Sequence, residues 1–251
     1  GYASQELSTL TARYGVDGKR FAGKTSGRSK TEDVNPFILR DYDLCISCYR
    51  CVRVGAEREG DYAISVANRG FQTQITAEFD ALLEDSSCTF CGQCVQTCPT
   101  GALADRKALR GVDLPGELTK TRTICPYCGV GCSVDIVTKG ERIVAVQPAM
   151  DGPANEGALC VKGQFAWDHV QHAERLRTPL VRDESGELVP ASWDDALDRA
   201  ARGFLRAREE HGAETFFAIA SGRAPHESAY SVQKFVRAGF GTNYVDNCSR
   251  A

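Results

Sequence analysis

Several features are scarce in this sequence, and each scarcity removes a class of explanation. No apolar stretch approaches the ~20 residues that a membrane-spanning helix requires. Net charge is only −3 over 251 residues, which leaves no electrostatic case for a nucleic-acid partner or an anionic membrane surface. The four histidines (His169, His172, His211 and His226) follow no metal-site or catalytic-triad spacing, and none is assigned a role. The G-x-G-x-x-G fingerprint of dinucleotide folds is missing. The only methionine is Met150, so Gly1 is not a translation start, and the sequence is silent about any upstream targeting segment.

Cysteine is what the chain has in excess. Eleven of its twelve cysteines fall into three groups: Cys45, Cys48 and Cys51; Cys88, Cys91, Cys94 and Cys98, followed by Pro99; and Cys125, Cys128 and Cys132, with Cys160 further on. The middle run has the spacing of bacterial ferredoxins, in which three thiolates hold one cluster and the fourth reaches to another. Two-residue gaps let a loop wrap one face of a cubane. Zinc ribbons favour two pairs of ligands over triplets with a distant fourth. Disulfide scaffolds belong to small secreted chains without a core, and this chain is 42% hydrophobic. The groups therefore point to iron–sulfur clusters and to electron transfer. Thiolates kept free for metal suit a reducing compartment, so the expected location is cytoplasmic.

Crosswise ligation gives Cys45, Cys48, Cys51 and Cys98 to one cluster. The other then has Cys88, Cys91 and Cys94, and the residue that should complete it is Gly55. Glycine donates nothing. The expectation there is a 3Fe–4S cluster, a 4Fe–4S cluster with one iron held by water or a nearby carboxylate such as Glu57, or an empty site. Cys248 stands alone and reads as a buried or cofactor-adjacent thiol.

The rest of the chain organises around these groups. Residues 4–14 suit one short helix, and 15–34 a polar surface loop. That loop contains a literal phosphate-binding pattern from Gly18 to Thr25, but no buried strand precedes it and no amphipathic helix follows, so it is set aside. Tyr62, Ile64 and Val66, then Phe71, Thr73 and Ile75, alternate about Asn68-Arg69-Gly70 and predict a hairpin. Val134 and Ile136, then Ile143, Val144 and Val146, predict another about Lys139-Gly140-Glu141. The apolar spacing from Trp193 to Leu205, with Ser192 before it and Gly212 after, predicts a helix over 193–211. A strand at Thr215–Ala220, a Ser221-Gly222 turn and a helix near 227–239 would open an α/β unit.

Longer stretches carry a resemblance. CPYCGVGCSVDIV, Leu159-Cys-Val-Lys-Gly-Gln-Phe-Ala-Trp-Asp168, Arg175-Leu-Arg-Thr-Pro-Leu180, Gln233-Lys-Phe-Val-Arg237 and Gly241 to Arg250 resemble the formate dehydrogenase alpha subunit of the molybdenum or tungsten bis-pterin oxidoreductases. The ferredoxin unit, with Pro36-Phe37-Ile38 leading in and Cys98-Pro-Thr-Gly-Ala-Leu103 closing it, is similar to NAD-dependent members and their complex I relatives. The resemblance implies an α+β chain. Its parts are a remnant of an upstream cluster domain (1–35), a 2×4Fe–4S ferredoxin-type domain (36–104), a linker (105–119), a small β-rich 4Fe–4S domain (120–175), and the beginning of an α/β pterin domain (176–251).

The resemblance also implies roles. Cys125, Cys128, Cys132 and Cys160 would hold the cluster nearest a molybdenum or tungsten bis-molybdopterin guanine dinucleotide. Lys162 would relay electrons between that cluster and a pterin. Formate would become carbon dioxide, with electrons passing to NAD through a flavin and iron–sulfur partner subunit. The family's molybdenum-binding cysteine or selenocysteine would follow Ala251, so the chain alone is expected to be inactive. Gln5 stands where longer relatives place the last cysteine of a further cluster. Two other functions share the clusters: the large electron-wire subunit of complex I and nitrate reductase.

Overall fold

The computed structural model describes residues 6–16, 31–32, 35–111 and 113–247. Gln5, the phosphate-loop-like segment and Cys248 lie outside these residues. The chain divides into two compact units, Gly1–Cys125 with Gly131–Asp168, and Pro126–Val130 with His169–Ala251.

The first unit begins with the expected short helix, α1 (Glu6–Tyr14). Strand β1 (Thr31–Glu32) pairs antiparallel with β2 (Ile38–Asp41). The first cysteine run leads into α2 (Arg50–Val54). The predicted hairpin follows as β3 (Ile64–Ala67) and β4 (Gln74–Ala77), paired Ile64 to Ala77 and Ala67 to Gln74. The second run leads into α3 (Gln93–Thr97), and β5 (Leu103–Asp105) then returns antiparallel to β2. These elements are too short to persist alone. They enclose a common core of Ile38, Ile75, Leu83, Val95, Leu103 and Phe165, into which Cys51, Cys94 and Cys98 are also built.

The segment expected to be a linker is ordered. Asp105 caps α4 (Arg106–Arg110), accepting from the backbone N–H of Lys107 at 2.8 Å and of Ala108 at 3.1 Å. Burial raises the Asp105 carboxyl above its ordinary value, and the two backbone N–H groups pull the other way. Ala108 packs with Val137, Val144 and Ala145, so α4 is pinned to the next sheet. A polar sequence with Leu114-Pro115-Gly116 read as free because one buried alanine leaves no apolar pattern.

That sheet has three antiparallel strands, β6 (Leu118–Ile124), β7 (Ser133–Lys139) and β8 (Arg142–Pro148). The hairpin β7–β8 is the predicted one, with a register shift at Val137/Thr138. β6 was not predicted, and every one of its residues is exposed. Backbone pairing with β7 along its whole length forms it, while LTKTRTI has no buried face to betray it. Helix α5 (Val161–Phe165) closes the unit against β8, and its Gln164 Nε2 donates to Val146 O at 2.9 Å.

In the second unit β9 (Leu180–Arg182) and β10 (Leu188–Pro190) form a small hairpin. Helix α6 (Trp193–His211) has the predicted bounds: Ser192 Oγ accepts from Asp195 N at 3.1 Å, and Gly212 ends it. Strand β11 (Ala218–Ala220) is shorter than expected because residues 213–215 form a 3₁₀ turn. Helix α7 (His226–Phe235) widens into a π turn over Val236–Phe240, and the chain returns as β12 (Val245–Asn247), parallel to β11. Strand, helix, parallel strand is an α/β crossover. Phe240 stacks on Phe216 at 4.2 Å and meets Phe204 of α6 edge-on at 5.2 Å. Trp193, Leu197 and Leu205 of α6 nevertheless remain exposed.

Candidate metal centres

The first two cysteine loops share one backbone design. Ser47 and Tyr49 flank Cys48 with φ of 51° and 61°, and Phe90 and Gly92 flank Cys91 with φ of 54° and 77°. Three of these four carry a side chain, and the left-handed region costs such residues about 1 kcal/mol each. Alternating hand turns successive N–H groups to one side and makes a concave anion-binding nest. Sulfide-rich clusters call for that surface. Each loop then runs into a five-residue helix, α2 or α3, and the two helices pack together.

Cys45, Cys48, Cys51 and Cys98 line one cavity, together with Arg40 and Tyr49. This is the set expected from crosswise ligation, and it is assembled because α3 ends at Cys98 beside the first loop. Cys88, Cys91 and Cys94 line a second cavity with Gly55 and Asp61, and Cys51 contributes to both walls. Burial pushes the Cys51 thiol up to about 11, and the neighbouring Cys45, Cys48 and Cys98 push the same way. Burial likewise takes Cys91 to about 11 and Cys94 well above its ordinary value. Bare thiolates are therefore disfavoured in both cavities unless a cation shares them, and iron would supply that charge.

Among the described residues, no three His, Cys, Asp or Glu side chains converge as a single metal ion requires. A lone zinc draws its sulfurs to about 2.3 Å from one point, whereas a cubane sets a separate iron under each thiolate and spreads them. Sulfurs distributed around a cavity fit the cubane. Glu57 is exposed and turned away from the second cavity, where Arg53 Nε holds it at 2.9 Å.

The third group is positioned differently. Cys125 N donates to Cys132 O at 2.8 Å and closes the loop between them, which Gly131 turns with φ of 70°. Both cysteines pack against Val134, Val146, Leu159 and Trp167. Cys160 sits at the N-cap of α5 and is exposed. A Cβ placed on Gly163 would lie 3.7 Å from Cys125 Sγ, so α5 runs close beside that sulfur. Lys162 is exposed on the same helix. Cys128 is exposed on the 126–130 segment of the second unit.

Three supporting residues escaped the sequence reading. Asn155 Oδ1 accepts from Ser133 N at 2.8 Å, and its Nδ2 donates to Ala158 O at 2.9 Å. It thereby ties the approach to Cys160 to the strand that follows Cys132. Gln164 and Phe165 reach the other way. A Cβ on Gly92 would meet Gln164 Cγ at 2.7 Å and Phe165 Cζ at 3.2 Å, so glycine alone allows this contact between Cys91 and Cys94. Helix α5 therefore packs closely against the second cysteine loop and also runs near Cys125. A buried glutamine has no sequence signature of such a place.

Comparison with known proteins gives a consistent pattern. Residues 35–104 match the family profile of the NADH-quinone oxidoreductase subunit 3 ferredoxin-like domain. Residues 118–172 match the molybdopterin oxidoreductase Fe4S4 domain, and 175–251 match molybdopterin oxidoreductase. The putative formate dehydrogenase of Staphylococcus haemolyticus is 35% identical over 98% of this chain and 28% of its own length. That of Staphylococcus aureus strain USA300 is 36% identical over 87% of this chain and 26% of its own. The chain thus spans about a quarter of the length of the curated relatives it matches. An NAD⁺-reducing NiFe hydrogenase crystal structure aligns with TM-score 0.37 and 24% identity, over 46% of this chain and 47% of that one. No helix among the described residues is long and apolar enough to cross a membrane.

Proposed function

We propose, from the premise that the chain belongs to the molybdopterin oxidoreductases, that it is the electron-transferring N-terminal portion of a formate dehydrogenase alpha subunit. The observation that carries this reading is the succession of cysteine sites: Cys51 shared between two cavities, and α5 packed against the second loop and running near Cys125. Adjacent sites of this kind suit a wire. Cys45, Cys48, Cys51 and Cys98 would hold one 4Fe–4S cluster, Cys88, Cys91 and Cys94 a second, and Cys125, Cys128, Cys132 and Cys160 a third. A molybdenum- or tungsten-pterin group would supply the centre at which formate yields two electrons, a proton and carbon dioxide. The wire would lead toward NAD on a flavin and iron–sulfur partner. The exposed apolar residues of α6 fit a surface that the remainder of a longer pterin domain covers.

The match to a subunit 3 ferredoxin-like domain supports a second reading, an electron-wire subunit without formate chemistry. Two experiments separate these cases. Expressed and reconstituted without oxygen, the chain should bind about eleven or twelve irons with matching acid-labile sulfide. Tight zinc with little iron or sulfide would sink the electron-transfer reading. The longer protein should then reduce a viologen dye with formate, which the wire subunit would not do. In that protein Lys162→Ala should slow turnover and leave the iron content unchanged. Unchanged turnover at saturating acceptor would remove the lysine from the path.

A further inference from the structure

The two cysteine loops repeat each other, and the repeat breaks at one position. Helix α3 ends at Cys98, which lines the first cavity, and α2 ends at Gly55, which lines the second. Gly55 has φ of −63° and ψ of −45°, ordinary helical values, so the backbone does not call for glycine there. What a side chain would meet is Asp61. A Cβ built on Gly55 lies 3.3 Å from Asp61 Oδ1, closer than side-chain carbons comfortably approach. The space in which a residue 55 side chain would begin is thus bordered by a carboxylate, and that carboxylate lines the cavity of Cys88, Cys91 and Cys94.

Asp61 is also held in place. Its Oδ1 accepts from Ala63 N at 3.3 Å, and its Oδ2 accepts from Thr89 Oγ1 at 3.3 Å, in the loop between Cys88 and Cys91. Ser87 Oγ donates to Asp61 O at 3.2 Å, which ties the same two segments. A carboxylate offers about four lone pairs, so each oxygen keeps capacity beyond these bonds. Of the other carboxylates, Glu57 pairs with Arg53 and lies off the cavity, while Glu59 is near enough to raise the Cys91 and Cys88 thiols but accepts from Gln93 and does not itself line the cavity.

We propose that Asp61 is the fourth ligand of the second cluster, a carboxylate oxygen replacing the thiolate that position 55 lacks. The inference rests on reading Cys88, Cys91 and Cys94 as cluster ligands. Carboxylate and thiolate carry the same charge, so the exchange keeps the net charge of the site. Oxygen is the harder donor, and the iron it holds exchanges more readily than its three neighbours.

The test uses the whole chain reconstituted anaerobically, with iron and sulfide analysis and EPR of the oxidised protein. The unmodified chain should carry about twelve irons and no 3Fe–4S signal. Asp61→Asn keeps an oxygen for Ala63 N but loses the anionic donor. It should retain about eleven irons and show a 3Fe–4S signal approaching one spin per chain. Asp61→Cys should return to about twelve irons with no such signal, which separates ligation from a role in folding. A 3Fe–4S signal already present in the unmodified chain, or an Asp61→Asn protein that keeps all its iron, would overturn the role of Asp61 alone. An unmodified chain with about eight irons, unchanged by Cys94→Ser, would instead overturn the cluster reading beneath it.

Discussion

Stripping the iron from this chain is expected to abolish cooperative unfolding of the ferredoxin-like part of the first unit. The reason is where the cysteines lie. Cys51, Cys94 and Cys98 belong to the buried core, and Cys45 and Cys88 pack against it. The surrounding helices are five residues long and the strands two to four, so tertiary packing must hold them. Without metal, that packing surrounds cavities lined by thiols. Structural metals in minimal domains contribute on the order of 10 kcal/mol to folding, enough to exceed the stability of most domains. Helix α6 draws on none of this and should keep its far-UV signal. Circular dichroism melts of loaded and chelator-treated protein measure the difference. If both melt within a few degrees of each other, the clusters do not hold this core.

Phe165→Ala should be the most damaging substitution outside the cysteines, at about 3–5 kcal/mol. Phe165 is fully buried and stacks on Phe37 with centroids 5.0 Å apart, and Phe37 meets Phe90 of the second cysteine loop edge-on at 5.7 Å. Lys107 donates to Phe165 O and lies 5.7 Å from the Phe37 ring, adding a polar tie from α4. Truncation would leave a void where α5, the second loop and β2 converge. Phe165→Leu, which keeps most of the volume, should cost less than half as much. Urea titration of the loaded chain gives both values. A loss below about 1 kcal/mol for alanine would mean that the junction closes over the missing ring.

Legibility in the sequence followed the range of the forces involved. α6 could be read in full, since Ser192, the apolar spacing and Gly212 all act within a few residues. The hairpins at 64–77 and 133–148 were legible for the same reason, as alternation and a turn are local signals. β6 was not, because pairing with β7 made it without burying a side chain. The helix within 105–119 was missed because its single buried contact, Ala108, lies against a sheet that comes later in the chain.

The cysteine sites divide along the same line. Spacing alone determined the three groups and predicted that Cys98 joins Cys45, Cys48 and Cys51, since the ferredoxin pattern pairs them crosswise; in the fold these four line one cavity. Only the tertiary structure decided that α5 spans two sites through Gly163 and Gly92, and that Asp61 rather than Glu57 faces the place where Gly55 has no side chain. Asp61 is six residues from Gly55 and 27 from Cys88. A π turn over Gly55–Glu59 and the left-handed Gly60, φ 71°, bring it back to the cavity. Spacing can specify which residues a loop offers, but which carboxylate faces a cavity depends on how the intervening backbone turns.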